Sequence, residues 1–353
     1  MADMTTTATT RPNSLRDWPT LLGDNARTCG QGQHRARSPE KAVWQLRGGA
    51  VRSAPLLSDG LLYVATIRGS LCAIDAATGI SKWKFEAAGQ IHSTPSLFGN
   101  AILLGCDDGK VYALNRHSGE KLWEAATHGE VWSSPVVRSG VVFFGSADGK
   151  VYAVDAESGQ PRWSKDLGGR IYSTPYADEH QLYVGCGDGK VYSLAIDSGK
   201  VLWETQTGNG IDSSPAVADG LVLVGSEDFF VYGLNAGTGE VRWKYETGLG
   251  ISSSPAVSGS LVAIGSKDGF LYALDLQTGQ LRWRTGLGEV VTASPVIGDG
   301  AVCIQAGGLF ALDPDSGKVL WRAGLGGAIQ SVPVLADGCI YVASLSGEIY
   351  ALR

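Results

Sequence analysis

Eight residues at one recurring position carry unlike side chains that could do chemistry: Arg52, His92, Trp132, Tyr172, Asp212, Ser252, Thr292 and Gln330. His92 and Tyr172 are competent as general base and general acid once their pKa values are tuned. Asp212 suits a base or an anchor for an amine. Two residues earlier stand Ala50, Gln90, Glu130, Arg170, Gly210, Gly250, Val290 and Ala328. Arg52 and Arg170 are suited to gripping a carboxylate in bidentate fashion. Trp132 offers a ring for an apolar or cationic group. Gln90, Glu130, Ser252, Thr292 and Gln330 add polar contacts. Such a set fits proton transfer, cyclisation or isomerisation, and names no single reaction.

These positions are set by a repeat. Trp44, Trp83, Trp123, Trp163, Trp203, Trp243, Trp283 and Trp321 are spaced by 39, 40, 40, 40, 40, 40 and 38 residues. A fixed period near 40 with short strands marks a propeller or an array. Each period opens on Ser-x-Pro, as in Ser93-Thr94-Pro95 and Ser213-Ser214-Pro215, except the seventh, which has Ala293-Ser294-Pro295. Proline lacks an N–H and so stands where no ladder bond is needed. A β-rich run follows, then Asp-Gly, as in Asp148-Gly149 and Asp188-Gly189. Asp-Gly between apolar runs is a hairpin signal. A third strand leads to a second turn, such as Asp155-Ala156-Glu157-Ser158-Gly159, and Trp follows four residues later on the fourth strand. Four short strands per period make one propeller blade.

The order Ser-x-Pro, Gly-Ser-x-Asp-Gly, Tyr-Ala-Leu-Asp, Thr/Ser-Gly, Trp resembles the PQQ-like (quinoprotein-type) repeat family. In its repeats the chain is similar to the outer-membrane-assembly propellers. The resemblance spans about residues 17–353 and includes a lead-in at Asp17-Trp18-Pro19. It implies an all-β, eight-bladed β-propeller of four-stranded antiparallel blades. Seven blades are complete. The eighth starts at Ser331 and stops at Arg353 without its Trp strand, so the strand around Val43-Trp44 is expected to close it. Residues 1–38 read as a tail and lead-in, and 39–353 as the propeller.

The residue before each unlike one is a uniform β-branched aliphatic: Val51, Ile91, Val131, Ile171, Ile211, Ile251, Val291 and Ile329. Side chains alternate along a strand. On an innermost strand, the uniform row packs between blades and the unlike row faces the central funnel. Blades 1 to 5 then form a furnished wall, and blades 6 to 8 a small or neutral one. A concave site with converging polar and aromatic groups is the default binding-site reading. The bland alternative is a channel of merely solvated polar residues. Asp212 lies three blades from His92, which argues against a direct dyad. The eight serial Trp read as core. Phe229, at a turn where other blades carry Gly, reads as a contact patch or as local packing.

Several classes fall away. The net charge of −6 gives no reason to hold nucleic acid. No segment approaches the roughly 18 apolar residues of a membrane helix. Residues 1–14 lack the apolar core of a leader, so a cytoplasmic chain is expected, without a membrane partner. Cys29, Cys72, Cys106, Cys186, Cys303 and Cys339 are scattered, with no CxxC and no adjacent pair. The quinone dehydrogenases that the repeat resembles use a vicinal disulfide, a calcium ion and a catalytic Asp. Neither the cysteines nor any carboxylate spacing here matches that set, so no cofactor and no metal are expected. Two readings remain: a funnel that binds a small molecule or peptide, with cofactor-independent acid–base chemistry, and a scaffold for a protein partner on the rim. The closure gives a direct test. Deleting residues 40–46 is expected to lower the thermal midpoint of the whole chain. An unchanged midpoint would contradict it.

Overall fold

The computed structural model describes residues 42–47, 49–298, 300–325, 331–336 and 339–352. Their regular structure is entirely β-strand, in eight four-stranded antiparallel sheets. Blade 1 shows the plan: Leu56–Ser58, Leu61–Ala65, Ser70–Asp75 and Ser81–Glu86 pair in sequence order. Blades 2 to 7 repeat it. Blade 8 is composite: Val334–Ala336, Cys339–Ala343 and Glu348–Leu352 are joined by Ala42–Arg47, which pairs antiparallel with Glu348–Leu352. The expected closure is therefore present. A second seal lies near the axis, where the Val51 N–H donates to the Ser344 carbonyl at 3.1 Å. The tail and lead-in assigned to residues 1–38 lie outside the described residues.

One sequence expectation needs correction. The unlike row is not on the innermost strand. Residues 51–55 and their equivalents are an extended segment ahead of each blade's first strand. Their backbone bonds the preceding blade instead: Ile91 N–H donates to Thr66, Val131 to Cys106 and Ile171 to Ser146. The physical reason lies in Ser-x-Pro. The Ser93 hydroxyl donates to the Gly105 carbonyl at 2.9 Å and accepts from the Gly105 N–H at 2.8 Å. Ser173 with Gly185 and Ser331 with Ala343 do the same. A side chain occupies the ladder slot, and proline has no N–H to compete for it. Regular pairing starts only after the proline. The alternation of faces survives, because the segment is still extended.

The middle residue of Ser-x-Pro links blade to blade. The backbone N–H of Ala54 donates to the Thr94 hydroxyl, Thr94 to Ser134, Ser134 to Thr174, Thr174 to Ser214, Ser214 to Ser254, and Ser254 to Ser294. These six bonds measure 2.9–3.2 Å and run around the axis. Val332 and Ala54 carry no hydroxyl, so the relay is interrupted on either side of the composite blade.

Farther out, the serial tryptophans staple neighbours as expected for core. Trp123 donates its indole N–H to the Ala156 carbonyl of the next blade at 3.1 Å. A Cβ on Gly159 would fall 2.6 Å from that indole, so the turn is glycine to let the ring lie flat against it. Each Asp of the first turn is also structural. Tyr152 donates to Asp148 and Tyr192 to Asp188, both at 2.6 Å. Cys106 and Cys186 are fully buried, and burial pushes both thiols up to about 12, as befits small core residues.

The relay carries a measurable load. Ser214→Ala leaves the buried Thr174 N–H without its acceptor. That is expected to cost about 1–3 kcal/mol in urea unfolding, with Ser214→Thr close to wild type because threonine serves at positions 94 and 174.

Candidate functional site

The uniform row is the mould for the site. Val51, Ile91, Val131, Ile171, Ile211, Ile251 and Val291 are completely buried. Each from Val131 onward presses against a glycine of the blade before it. A Cβ on Gly145 would lie 2.2 Å from Ile171, and one on Gly225 would lie 2.2 Å from Ile251. With one side chain locked between blades, the next must point into the funnel. His92, Trp132, Tyr172, Asp212 and Ser252 are accordingly half-buried, and Arg52 and Thr292 exposed. Gln90, Glu130 and Arg170 are exposed beside them. Gln330, with Ile329 and Ala328 before it, lies outside the described residues.

Three of the sequence candidates form a stack across blades 2 to 4. His92 and Trp132 ring centroids are 4.4 Å apart, and Trp132 and Tyr172 are 4.5 Å apart and nearly parallel at 20°. The Arg170 guanidinium extends the pile over Tyr172 at 5.2 Å. The indole expected to receive a ligand on its face is thus covered on both faces by its neighbours. What Trp132 presents is an edge. Its Nε1 is buried and has no hydrogen-bond partner.

Asp107, missed in the sequence, completes this group. His92 Nε2 lies 3.5 Å from Asp107 Oδ2, within ion-pair range but long for a hydrogen bond. Burial lowers the His92 pKa below its ordinary value, and Arg52 reinforces the shift against the pull of Asp107. The shift favours the neutral imidazole. Burial raises the Asp107 carboxyl, and Glu130 adds to the rise. The Trp132 indole N–H, facing this carboxyl, pulls it down as a hydrogen-bond donor would, yet neither Trp132 Nε1 nor Asp107 Oδ1 completes a hydrogen bond. Proximity without bonding geometry accounts for both facts.

Blades 5 and 6 correct the expected asymmetry. Their positions at the funnel mouth are Gly210 and Gly250, which look blank in the sequence. A Cβ on Gly250 would lie 2.3 Å from a Glu227 carboxylate oxygen, so that glycine makes room for an acid. Glu227 pairs with Lys267 across the blades at 2.6 Å. Asp212 sits beside them. Its carboxyl is raised by burial and by Glu227, against the opposite pull of Arg170 and Lys267. Asp107, Glu227 and Lys267 share one repeat position, the x of Gly-Ser-x-Asp-Gly. Variation at that x, within a frame that otherwise repeats, is the signal that would have found them.

The wall's polar capacity is unspent. Among the described residues, no hydrogen bond or ion pair engages the side chains of Arg52, Glu130, Arg170, Asp212 or Ser252, or the Tyr172 hydroxyl. The first-turn aspartates, by contrast, are all engaged. Among the described residues no cluster of three His, Cys, Asp or Glu has the makings of a metal site. None of their cysteines are adjacent in sequence. No helix in them is long and apolar enough to cross a membrane.

The raised Asp212 pKa means that the native state binds that proton more tightly than the unfolded chain. Stability is thus lost as pH rises through the carboxylate range. Asp212→Asn is expected to raise the thermal midpoint at pH 7 by about 2 °C for each kcal/mol recovered. The gain should vanish once the pH falls below about 4. Equal midpoints at pH 7 would contradict it.

Comparison with known proteins places this geometry. BamB from Moraxella catarrhalis is similar with 20% identity and a TM-score of 0.78, over 89% of this chain and 99% of that one. The computationally designed Ika8 protein is similar with 18% identity and a TM-score of 0.78, over 91% and 99%. Quinohemoprotein alcohol dehydrogenase from Comamonas testosteroni is similar with 17% identity and a TM-score of 0.76, over 96% and 80%. At these identities the likeness is one of fold. No curated protein sequence matches the chain. A family model does, over residues 36–170, 107–224 and 147–353, and the chain therefore belongs to the family described as outer membrane protein assembly factor BamB, a family of PQQ-like propellers.

Proposed function

We propose that the funnel binds a small molecule or peptide segment bearing both a cationic and an anionic group. The observation that supports this best is the unspent wall. Arg170 and Asp212 feel each other's charge without pairing, on adjacent blades. A carboxylate on Arg170 and an ammonium on Asp212 would satisfy both. Deeper in, the buried Trp132 N–H and Asp107 Oδ1 face each other without completing a bond, which leaves a polar spot that a ligand group could bridge. Buried polar groups without partners carry a desolvation cost that a matched ligand removes.

The same wall has the parts for cofactor-independent proton transfer. With Asp107 beside Nε2, a neutral His92 holds its proton on Nε2 and keeps a lone pair on Nδ1. That nitrogen is the proton acceptor of the reading, and the Tyr172 hydroxyl the donor. A lowered His92 pKa keeps the base form through neutral pH.

A protein-binding scaffold is the second reading. It is supported by the family description and by Phe229. That side chain is 42% exposed on a backbone at φ 79°, where a bulky residue is strained. Strain of this kind accumulates at functional positions.

The readings separate in one experiment. Purified protein is incubated with a metabolite extract, desalted, and its released ligands are measured by mass spectrometry. The funnel reading expects a zwitterionic compound on the wild type, reduced about tenfold or more in Arg170→Ala and Asp212→Asn, since a charged hydrogen bond contributes about 1.5–3 kcal/mol. No enrichment, with a protein partner lost in Phe229→Ser, would leave the scaffold.

A further inference from the structure

A second concave site lies on the outer side of the ring, between blades 2 and 3. It is a crevice of about 510 Å³ lined by Ala125, Phe144 and Tyr152 at its base and by the exposed Glu124, Gln160 and Arg162 around them. The repeat explains why it exists. Ala125 lies on the fourth strand of blade 2, opposite Val111. At the same register of other blades stand Phe85, Lys165, Thr205, Tyr245 and Thr285. Phe85 packs edge-on against Tyr112 of the next blade, with centroids 5.3 Å apart and planes at 60°. Tyr245 meets Tyr272 in the same way, at 5.8 Å and 58°. Thr205 and Thr285 bridge the gap with hydroxyls donated to Gly239 and Gly317. At Ala125 the corresponding side chain is missing.

The opposite wall registers the loss. Tyr112, Tyr192, Tyr232 and Tyr272 are 2–6% exposed, whereas Tyr152 at the same position is half-buried. Tyr350, which faces the other alanine of this register, Ala323, is 8% exposed and so already covered. Blade 3 also differs in its second strand. Phe144 replaces an aliphatic residue such as Leu104 or Val184 and stacks on Tyr152 at 5.4 Å, with planes 8° apart. The crevice therefore combines a small side chain with the half-buried ring of Tyr152, which is backed by the fully buried Phe144.

We propose that this crevice binds a small aromatic molecule, its ring taking the place that Phe85 and Tyr245 fill in blades 1 and 5. An aryl ring edge-on to Tyr152 reproduces a contact that the protein already makes twice. Tilted aromatic pairs gain beyond their buried area. The site is separate from the funnel and independent of it.

The probe is p-cresol, with 4-methylcyclohexanol as its saturated counterpart, titrated into the full chain by ligand-observed NMR. Saturable p-cresol binding with a Kd on the order of 1 mM is expected, with the cyclohexanol at least several-fold weaker. Ala125→Phe should weaken p-cresol at least tenfold while raising the thermal midpoint, because the new ring fills the crevice. Asp212→Asn, in the funnel, should bind p-cresol unchanged. Undiminished binding by Ala125→Phe, a lowered midpoint in that variant, or no saturation in the wild type would overturn the proposal. A crystal soaked in p-cresol decides independently of any variant: the ring beside Tyr152 supports the site, and the ring elsewhere refutes it.

Discussion

The docking of one β-branched side chain onto one glycine, repeated from blade to blade, sets the rest of the structure. Ile171 on Gly145 and Ile251 on Gly225 leave no room for a Cβ on the glycine. Close packing of this kind permits a single approach distance. It holds the inter-blade segment extended against the preceding blade, where its N–H finds a carbonyl. The neighbouring residue must then face the axis, whatever its type. The frame tolerates any side chain at that position, so the position is free to acquire function.

Polar groups divide accordingly. Those that build the frame are paired: the Ser-x-Pro hydroxyls with backbone, the first-turn aspartates with tyrosines, the indole N–H groups with carbonyls of the next blade. Those facing the funnel are left with capacity to spare, and burial shifts His92, Asp107 and Asp212 toward their neutral forms. A chain that leaves charge partly desolvated in one place and pairs it elsewhere concentrates its stability cost where binding relieves it.

The likeness in fold to BamB, to a designed propeller and to a quinohemoprotein dehydrogenase at 17–20% identity is consistent with a frame that few residues specify. The frame asks for little beyond the glycines, the Ser-x-Pro element, the turn aspartates and the tryptophans. A shared fold does not by itself carry a shared site.

Blade number, strand order and composite closure were legible in the sequence, because each depends on residues at a fixed period and on a count that ends one strand short. The unlike row was legible too, since alternation along an extended segment is local. Its placement on a strand was not, because a serine hydroxyl in the ladder slot delays pairing until after the proline. Tertiary structure alone decided who meets whom. Asp107 reaches His92 through the bond that ties its backbone to the segment at Gln90, and Glu227 leans over Gly250 of another blade. Trp132 lost both faces to residues 40 positions away on either side. The crevice at Ala125 likewise exists only where an alanine of one blade faces a phenylalanine–tyrosine pair of the next. Periodicity specifies the frame, but contacts between unlike residues on neighbouring blades depend on side-chain reach and burial, which no repeat unit encodes by itself.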